Sequence, residues 1–224
     1  MTEPKVFLGI PIYGELVHIS LLHAILWAKR GGVPWTVRGF SVLTRNFNEL
    51  WVMALNARPD GVTHFAMLHE DVQPQQWWID HLLKIMAREQ ADVLSVVLPI
   101  KDGSGFTSTA IDDTSNISKP RRLKLTELPA PTFTDPLLLV NTGCLLVDLN
   151  RPWVEETWFE FHDRILQCEG RWIAENVSED WAWSRMAREA GATLYATTEV
   201  SAVHHGRAGF PNQVGQAPQV TAVT

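Results

Sequence analysis

Cysteine and long apolar runs are both scarce in this chain. Its 224 residues include two cysteines, Cys144 and Cys168, and this isolated pair forms neither a metal-ligand spacing nor a disulfide framework. The scarcity favours a reducing compartment. No apolar run approaches the ~18 to 20 residues that a membrane-spanning helix requires. The first residues also lack the basic segment and apolar core of a signal peptide, so we expect a soluble, cytoplasmic protein without a transmembrane segment.

Positive charge is in short supply too. The formal net charge is −6 and the isoelectric point is near 5.7, which gives no bulk electrostatic support for nucleic-acid binding. A small basic cluster at residues 119–124 is a local exception. Hydrophobic residues make up 46% and charged residues 20% of the chain, an ordinary globular composition that argues against wholesale disorder.

Strand and helix patterns alternate along the first 99 residues. Short apolar runs predict strands at residues 5–12, 35–42, 63–68 and 91–99. Helical periodicity predicts helices between them, at residues 16–29, 46–57 and 74–89. We expect Thr44 to cap the second helix and Pro74 to occupy the first turn of the third. This alternation predicts an α/β fold with a mostly parallel central sheet flanked by helices.

The alternation breaks down after residue 99. Turn-forming residues dominate 100–135, which predicts a functional loop, a lid or a disordered segment. A strand is expected at 137–149, where Gly143 indicates a bulge or close backbone approach to a ligand. The remaining expected elements are a helix at 153–166, a helix capped by Ser178 and ended by Gly191, a strand at 193–206 and a loose extension at 207–224.

Acidic and imidazole side chains directly follow the third predicted strand. The run FAMLHEDVQP places His69, Glu70 and Asp71 there. Ligands of such sheets bind beyond the carboxyl ends of the strands, so we expect this triplet to face the same crevice as Tyr13, which follows the first strand. Carboxylates suit Mg²⁺ held together with a substrate diphosphate, and a histidine ligand favours Mn²⁺. Acids that merely favour the dipole of the following helix explain the spacing equally well.

Two further acids, Glu179 and Asp180, open the predicted helix after Ser178. A helix N-terminus would keep such a carboxylate ionised at neutral pH, as a general base requires. Capping and dipole preferences alone would also place acids here. At the end of the last predicted strand, His204 and His205 point to opposite faces. At most one of them can therefore reach a metal, and we favour His204.

A basic and an amide side chain occupy the start of the second predicted helix. Arg45 and Asn48 lie beside helix N–H groups, and together these groups can make an anion site. A surface arginine and a capping asparagine are the alternative interpretation.

The order of these motifs resembles that of the GT-A glycosyltransferases, which transfer sugars from nucleotide-sugar donors. Across nearly the whole chain the sequence reads strand–IPxYG, TRNxN at a helix start, strand–HEDVxP, NTGC, SEDWAWxR and VHHG. The resemblance implies one Rossmann-like GT-A domain over residues 1–206, with a smaller antiparallel element on the acceptor side. Its donor-binding half would span about 1–99, a variable loop 100–135, the acceptor and catalytic half 136–206, and a C-terminal extension 207–224.

The resemblance also assigns roles to individual residues. Where the family has its metal-binding DxD motif this chain has HED, so the implied metal ligands are His69, Asp71 and His204. The residues that match donor-binding positions are Pro11, Tyr13, Arg45, Asn48, Glu70, Asn141 and Gly143. Asp180 or Glu179 matches the carboxylate that deprotonates the acceptor hydroxyl in inverting members of the family.

The implied reaction transfers a sugar from a nucleotide-diphosphate sugar, with UDP-sugar favoured, to an acceptor hydroxyl. The implied cofactor is Mn²⁺ or Mg²⁺, which acts as a Lewis acid on the leaving diphosphate. The acceptor stays open between a glycan, free or lipid-linked, a protein side chain and a hydroxylated nucleobase in DNA. One base serving one displacement would invert the anomeric configuration, but a retaining enzyme would use the same fold.

Two other functions stay open on the sequence alone. A nucleotidyltransferase also uses carboxylates and a metal on an α/β sheet. It would carry a Gly-rich, basic phosphate loop near the N-terminus, whereas GIPIYGEL contains no Lys or Arg. The second alternative is a catalytically inactive nucleotide-sugar-binding module, which the departure of HED from DxD favours.

Overall fold

The fold is taken from a computed structural model that describes residues 3–13, 17–30, 32–113, 119–206 and 208–220. Within these ranges the helices are α1 (Ser20–Leu26), α2 (Leu43–Asn56), α3 (Trp78–Glu89) and α4 (Glu179–Glu189). Short 3-10 turns span Arg58–Asp60, Leu125–Glu127 and Pro152–Glu156. None of the helices in this described part is long and apolar enough to cross a membrane.

A seven-stranded mixed sheet forms the centre of the molecule. Its strands, in chain order, are β1 (Val6–Ile12), β2 (Trp35–Gly39), β3 (His64–Leu68), β5 (Val93–Val96), β8 (Thr132–Phe133), β10 (Cys144–Asp148) and β13 (Leu194–Thr197). Their spatial order is β2-β1-β3-β10-β5-β13-β8. Five strands run in the same direction, whereas β10 and β8 run against their neighbours. The predicted α/β class is confirmed, with a mixed sheet consistent with a Rossmann-like domain.

Alternation along β3 divides the core into two layers. Phe65 and Met67 face the layer that holds the α2 and α4 side chains Trp51 and Trp183. The intervening residues, including Leu68, face the layer that holds α1 and α3. Successive strand side chains point to opposite faces, and here both faces are covered, so the strand reads as one continuous apolar run. Fully burying each such large apolar side chain contributes about 1.5–3 kcal/mol.

Smaller antiparallel units lie outside the central sheet. One four-stranded sheet joins β4 (Val72–Pro74), β14 (Ala202–His205), β15 (Ala208–Pro211) and β16 (Gln219–Val220). A three-stranded sheet joins β6 (Phe106–Ile111), β7 (Arg121–Lys124) and β9 (Leu138–Leu139), and β11 (His162–Cys168) forms a hairpin with β12 (Arg171–Val177). The pairing of β14 with β4 aligns His204 with Val72, which carries the C-terminal histidines to the end of β3.

The helix predicted at 153–166 is wrong. Only a 3-10 turn at Pro152–Glu156 is helical there, and β11 begins at His162. The cause is the turn between β11 and β12, where Glu169 and Gly170 adopt φ of +48° and +75°. Positive φ at both central residues matches the twist of a two-residue hairpin, so this turn, rather than the apolar spacing before it, sets the local structure.

Two predicted helix starts are also wrong in detail. Thr44 lies inside α2, whose N-cap residue is Val42. Pro74 ends β4, four residues before α3 begins at Trp78, because the segment pairs with β14 instead of entering a helix. Ser178 is the N-cap residue of α4, but its side chain makes no capping hydrogen bond.

The segments expected to be irregular are partly ordered into strands. Residues 100–135 contain β6, β7 and β8, and the tail expected to be loose supplies β15 and β16. The strand expected at 193–206 divides into β13 and β14, which join different sheets. The parts of the predictions that fall on Gly14, Leu16, Arg207 and 221–224 lie outside the described residues.

Candidate active site

The predicted site residues lie around the carboxyl ends of β1 and β3. Because β10 runs antiparallel to β3, with Cys144 opposite Leu68, the residues just before β10 lie beside the residues just after β3. The backbone N–H of His69 donates to the carbonyl of Gly143 at 2.9 Å and fixes this arrangement. The N-terminus of α4 reaches the same place through Asp180, which accepts a hydrogen bond from Thr142.

Asp71 lies between two basic side chains. Lys101 Nζ forms an ion pair with Asp71 Oδ2, and His204 Nε2 lies 3.5 Å from the same oxygen. Burial alone would raise the pKa of Asp71, but the contacts with His204 and Lys101 outweigh it and hold that pKa well below its usual range. The carbonyl of Asp71 also accepts the N–H of His205 at 2.7 Å, so β14 positions this turn.

The His69 side chain contacts Thr142 and Phe47. Its Nε2 lies 3.2 Å from Thr142 Oγ1, and its ring packs against Phe47 with centroids 5.2 Å apart. Burial lowers the pKa of His69 to about 4, so the imidazole is neutral at pH 7. Among the described residues no group of three or more His, Cys, Asp or Glu side chains could hold a metal ion; Asp71 and His204 are the predicted ligands that the structure brings together.

Glu70 joins the ends of the first and third strands. Its Oε2 accepts the backbone N–H of Tyr13 at 3.3 Å, and burial raises its pKa. The Tyr13 ring is 67% exposed, so it is free to stack on a planar ligand. Pro11 is buried in β1 beside Arg38 of β2.

The two residues predicted at the start of α2 have different surroundings. Arg45 is exposed, pairs with Glu49 and lies over the Phe40 ring. Both polar atoms of the Asn48 side chain bond to the backbone of Phe159: Nδ2 donates to its carbonyl at 2.7 Å, and Oδ1 accepts its N–H at 2.8 Å. Arg45 therefore stays available to an anion, whereas Asn48 fastens the segment before the hairpin.

Asn46, between them, is a residue that the sequence analysis overlooked. Its side chain is fully buried, and Nδ2 donates to the carbonyls of Ile12 and Phe40 at 3.1 and 3.3 Å. These bonds fasten α2 to the ends of β1 and β2. Its Oδ1 is buried without a hydrogen-bond partner among the described residues. The TRNxN run contained the signal, since an asparagine in the first helical turn is unfavourable unless its amide has a specific partner.

Asn141 and Gly143 shape the turn before β10 through contacts within the protein. The Asn141 amide donates to the Val96 carbonyl at 2.8 Å and accepts the Gly143 N–H at 3.1 Å. A Cβ on Gly143 would come within 2.6 Å of Leu98 Cδ1. The close approach predicted at this glycine is therefore made by Leu98, in the core of the protein.

Thr142 links the two halves of the predicted site. Its hydroxyl donates to Asp180 Oδ1 at 2.5 Å, and the hydroxyl oxygen itself lies 3.2 Å from His69 Nε2. Burial, and then the neighbouring charge of Glu179, raise the pKa of Asp180 to about 7, although the bond from Thr142 opposes the shift. Burial also raises the pKa of Glu179. Desolvation therefore opposes the ionisation of Asp180 that the dipole of α4 is expected to favour.

Two basic residues from the segment 100–135 complete the surroundings. Lys101 contacts Asp71, as described above, and Arg122 lies over the Trp181 ring at 4.6 Å while donating to the Thr107 carbonyl at 3.2 Å. The charge of Arg122 lowers the pKa of Asp180 in part. Arg122 belongs to the basic cluster at residues 119–124, whereas no spacing in the sequence relates Lys101 to Asp71.

Comparison with known proteins shows which fold the chain has but does not show its family. No protein-family model matches the chain, and no curated protein matches it either. Among solved structures, A197 from STIV superposes with a TM-score of 0.61 at 15% identity, covering 98% of this chain and 96% of that one.

Two structures of TarS from S. aureus give TM-scores of 0.45 and 0.47 at 11% identity. The chain spans 58% and 36% of their lengths, and they in turn match 87% and 86% of this chain. At 15% identity the similarity to A197 shows the fold alone, and it covers 98% of this chain.

Replacing Thr142 with valine should raise the pKa of Asp180 further above its value of about 7, because the hydroxyl stabilises the ionised carboxylate. Thr142→Ser is the matched control and should leave that pKa close to the wild-type value. Titration of the Asp180 carboxyl carbon by ¹³C NMR measures both. Equal pKa values in the valine and serine variants would contradict the role given to this hydroxyl.

Gly143→Ala should destabilise the fold by about 1–3 kcal/mol, because the new Cβ overpacks against Leu98. Leu98→Ala removes the opposing methyl group, so the double variant should lose less stability than the sum of the two single variants. Urea unfolding of the four proteins gives the coupling free energy. Strict additivity would mean that Leu98 is not what requires glycine here.

Proposed function

We propose that this protein is a glycosyltransferase, which transfers a sugar from a nucleotide-diphosphate sugar to an acceptor hydroxyl. The supporting observation is the contact of Thr142 with both His69 and Asp180. It brings the HED segment and the SED segment, which are more than one hundred residues apart in sequence, next to each other. The motif order, which resembles that of GT-A glycosyltransferases, gives these two segments the donor side and the base side of the reaction.

Asp71 and His204 fit a divalent cation, either Mn²⁺ or Mg²⁺. Nδ1 of His204 lies 2.8 Å from the Pro99 carbonyl. With a cation bound, an N–H at Nδ1 would leave the Nε2 lone pair to the metal, the usual outer-shell arrangement of a metal-binding histidine. Two protein ligands suffice where a diphosphate supplies others. When bound, the cation would neutralise charge on the departing diphosphate. His69, which faces Thr142, is better suited to positioning than to ligation.

Asp180 is the proposed general base. The acceptor oxygen forms a bond to the anomeric carbon, the bond from that carbon to the diphosphate breaks with its electron pair, and the acceptor proton passes to Asp180. A carboxylate whose pKa is raised to about 7 is well matched to accepting a proton near neutral pH. Glu179 lies next to it on the same helical turn and is the alternative base. One base and one displacement give inversion at the anomeric carbon.

The donor nucleotide, with UDP favoured, would lie over the ends of β1 and β2. Tyr13 offers an exposed ring for the base, Arg45 an exposed guanidinium for phosphate, and Glu70 holds Tyr13 in place. The acceptor would enter beside Asp180, where Arg122 and Trp181 supply the wall. A glycan, a protein hydroxyl and a hydroxylated nucleobase all present the required nucleophile.

Donor binding is tested first by thermal unfolding with nucleoside diphosphates, with and without Mn²⁺. At 100 times Kd a ligand stabilises the native state by ~2.7 kcal/mol, and we expect UDP with Mn²⁺ to produce such a shift. Asp71→Ala should remove the dependence on Mn²⁺, whereas Asp60→Ala, an exposed acid at the end of the turn after α2, should not. If none of the nucleotides stabilises the wild type, the proposed function is rejected.

Asp180→Asn should lower turnover by ~10²–10⁴-fold while leaving donor affinity unchanged, since it removes a base and no donor contact. Release of sugar from a UDP-sugar, with water as acceptor, provides the assay. Glu179→Gln is the matched variant. The acid whose replacement by the amide lowers turnover by the larger factor is the base. Donor binding with no turnover in the wild type would instead favour a nucleotide-sugar-binding module.

A further inference from the structure

The Lys101 side chain passes beside Gly206, which has no side chain, to reach Asp71. A Cβ on Gly206 would lie 3.0 Å from Lys101 Cδ and 3.4 Å from its Cβ, so the lysine stem packs closely against the backbone of this glycine. The stem then delivers Nζ to Asp71 Oδ2. The lysine therefore lies between the backbone of Gly206 and the Asp71 carboxylate.

The position of the ammonium coincides with the place where the proposed cation would bind. Asp71 Oδ2 contacts Lys101 Nζ and also lies 3.5 Å from His204 Nε2. A cation that binds between Asp71 and His204 must approach this same carboxylate oxygen. Two positive charges within ~4 Å repel by about 1 kcal/mol per unit charge product even in water, and by more near a protein surface. Lys101 and the cation therefore exclude one another.

We propose that Lys101 is an internal competitor for the divalent cation at Asp71, so that metal binds there only when the lysine leaves the carboxylate. The Lys101 side chain is 36% exposed, so it has room to move away. Glu70, next to Asp71, keeps the turn acidic when the lysine is displaced. This proposal rests on the proposed function, in which the diphosphate of the donor is the anion that would draw Lys101 away. Metal and donor would then bind cooperatively.

Mn²⁺ binding without any nucleotide tests the competition directly. Free Mn²⁺, measured by its EPR signal, gives the affinity of the wild type and of Lys101→Met. We expect the variant to bind Mn²⁺ about tenfold more tightly or better, because one opposing positive charge is gone. Lys124→Met is the matched control: it removes the same charge from β7, where Lys124 pairs with Glu127 at 3.6 Å, and should leave Mn²⁺ affinity unchanged.

Addition of UDP separates the competition from the identity of the donor. UDP should increase the Mn²⁺ affinity of the wild type by a larger factor than that of Lys101→Met, because in the variant there is no lysine to displace. Combining Lys101→Met with Asp71→Asn should abolish the gain in Mn²⁺ affinity, which identifies the site. Equal Mn²⁺ affinities of wild type and Lys101→Met without nucleotide would overturn the proposal. A gain in the variant with no effect of UDP on either protein would support the competition and count against the nucleotide donor.

Discussion

The antiparallel placement of β10 between β3 and β5 is the constraint on which the candidate site depends. A parallel strand in this position would enter from the opposite end of the sheet and carry Asn141, Thr142 and Gly143 away from His69. With β10 reversed, the pairing of Cys144 with Leu68 puts the turn before β10 directly against the end of β3. Thr142 can then contact the HED segment and α4 at once, so a single choice of strand direction assembles side chains from three parts of the chain.

A second pairing completes the same end of the sheet. β14 aligns antiparallel with β4, which starts directly after Asp71, and so His204 arrives beside the carboxylate. The strands after β14 add two further pairings and hold it there. Hydrogen bonds from the side-chain amides of Asn46, Asn48 and Asn141 also hold chain segments together, since each amide satisfies a backbone group where two segments meet. Rigid backbone pairing of this kind is what allows polar side chains to be held close together.

Sequence analysis predicted the α/β class, most of the strands that build the sheet and the segments that carry polar groups at its edge. Periodicity succeeds for β3 because both faces are buried and the strand is one apolar run. It fails at 153–166, where the turn at Glu169 and Gly170 creates a hairpin from a segment with helical spacing. The contacts of Asn48 with Phe159 and of Gly143 with Leu98 were not predicted, because these partners are distant in sequence. Contacts over such separations leave no local pattern.

The pKa values of Asp71 and Asp180 depend on how deeply each side chain is buried and on the charges beside it. These surroundings give the two acids different chemistry. The contacts of Asp71 with His204 and Lys101 outweigh its partial burial and lower its pKa, so it remains a carboxylate throughout the physiological pH range. Asp180 lies deeper, beside another acid, and one hydroxyl bond does not compensate for lost water, so its pKa rises to about 7. A carboxylate that is permanently ionised suits a cation, and one that takes up a proton near neutrality suits proton transfer. Thus two acids of the same residue type acquire different capacities at one end of the sheet, and neither capacity can be read from the residue type alone.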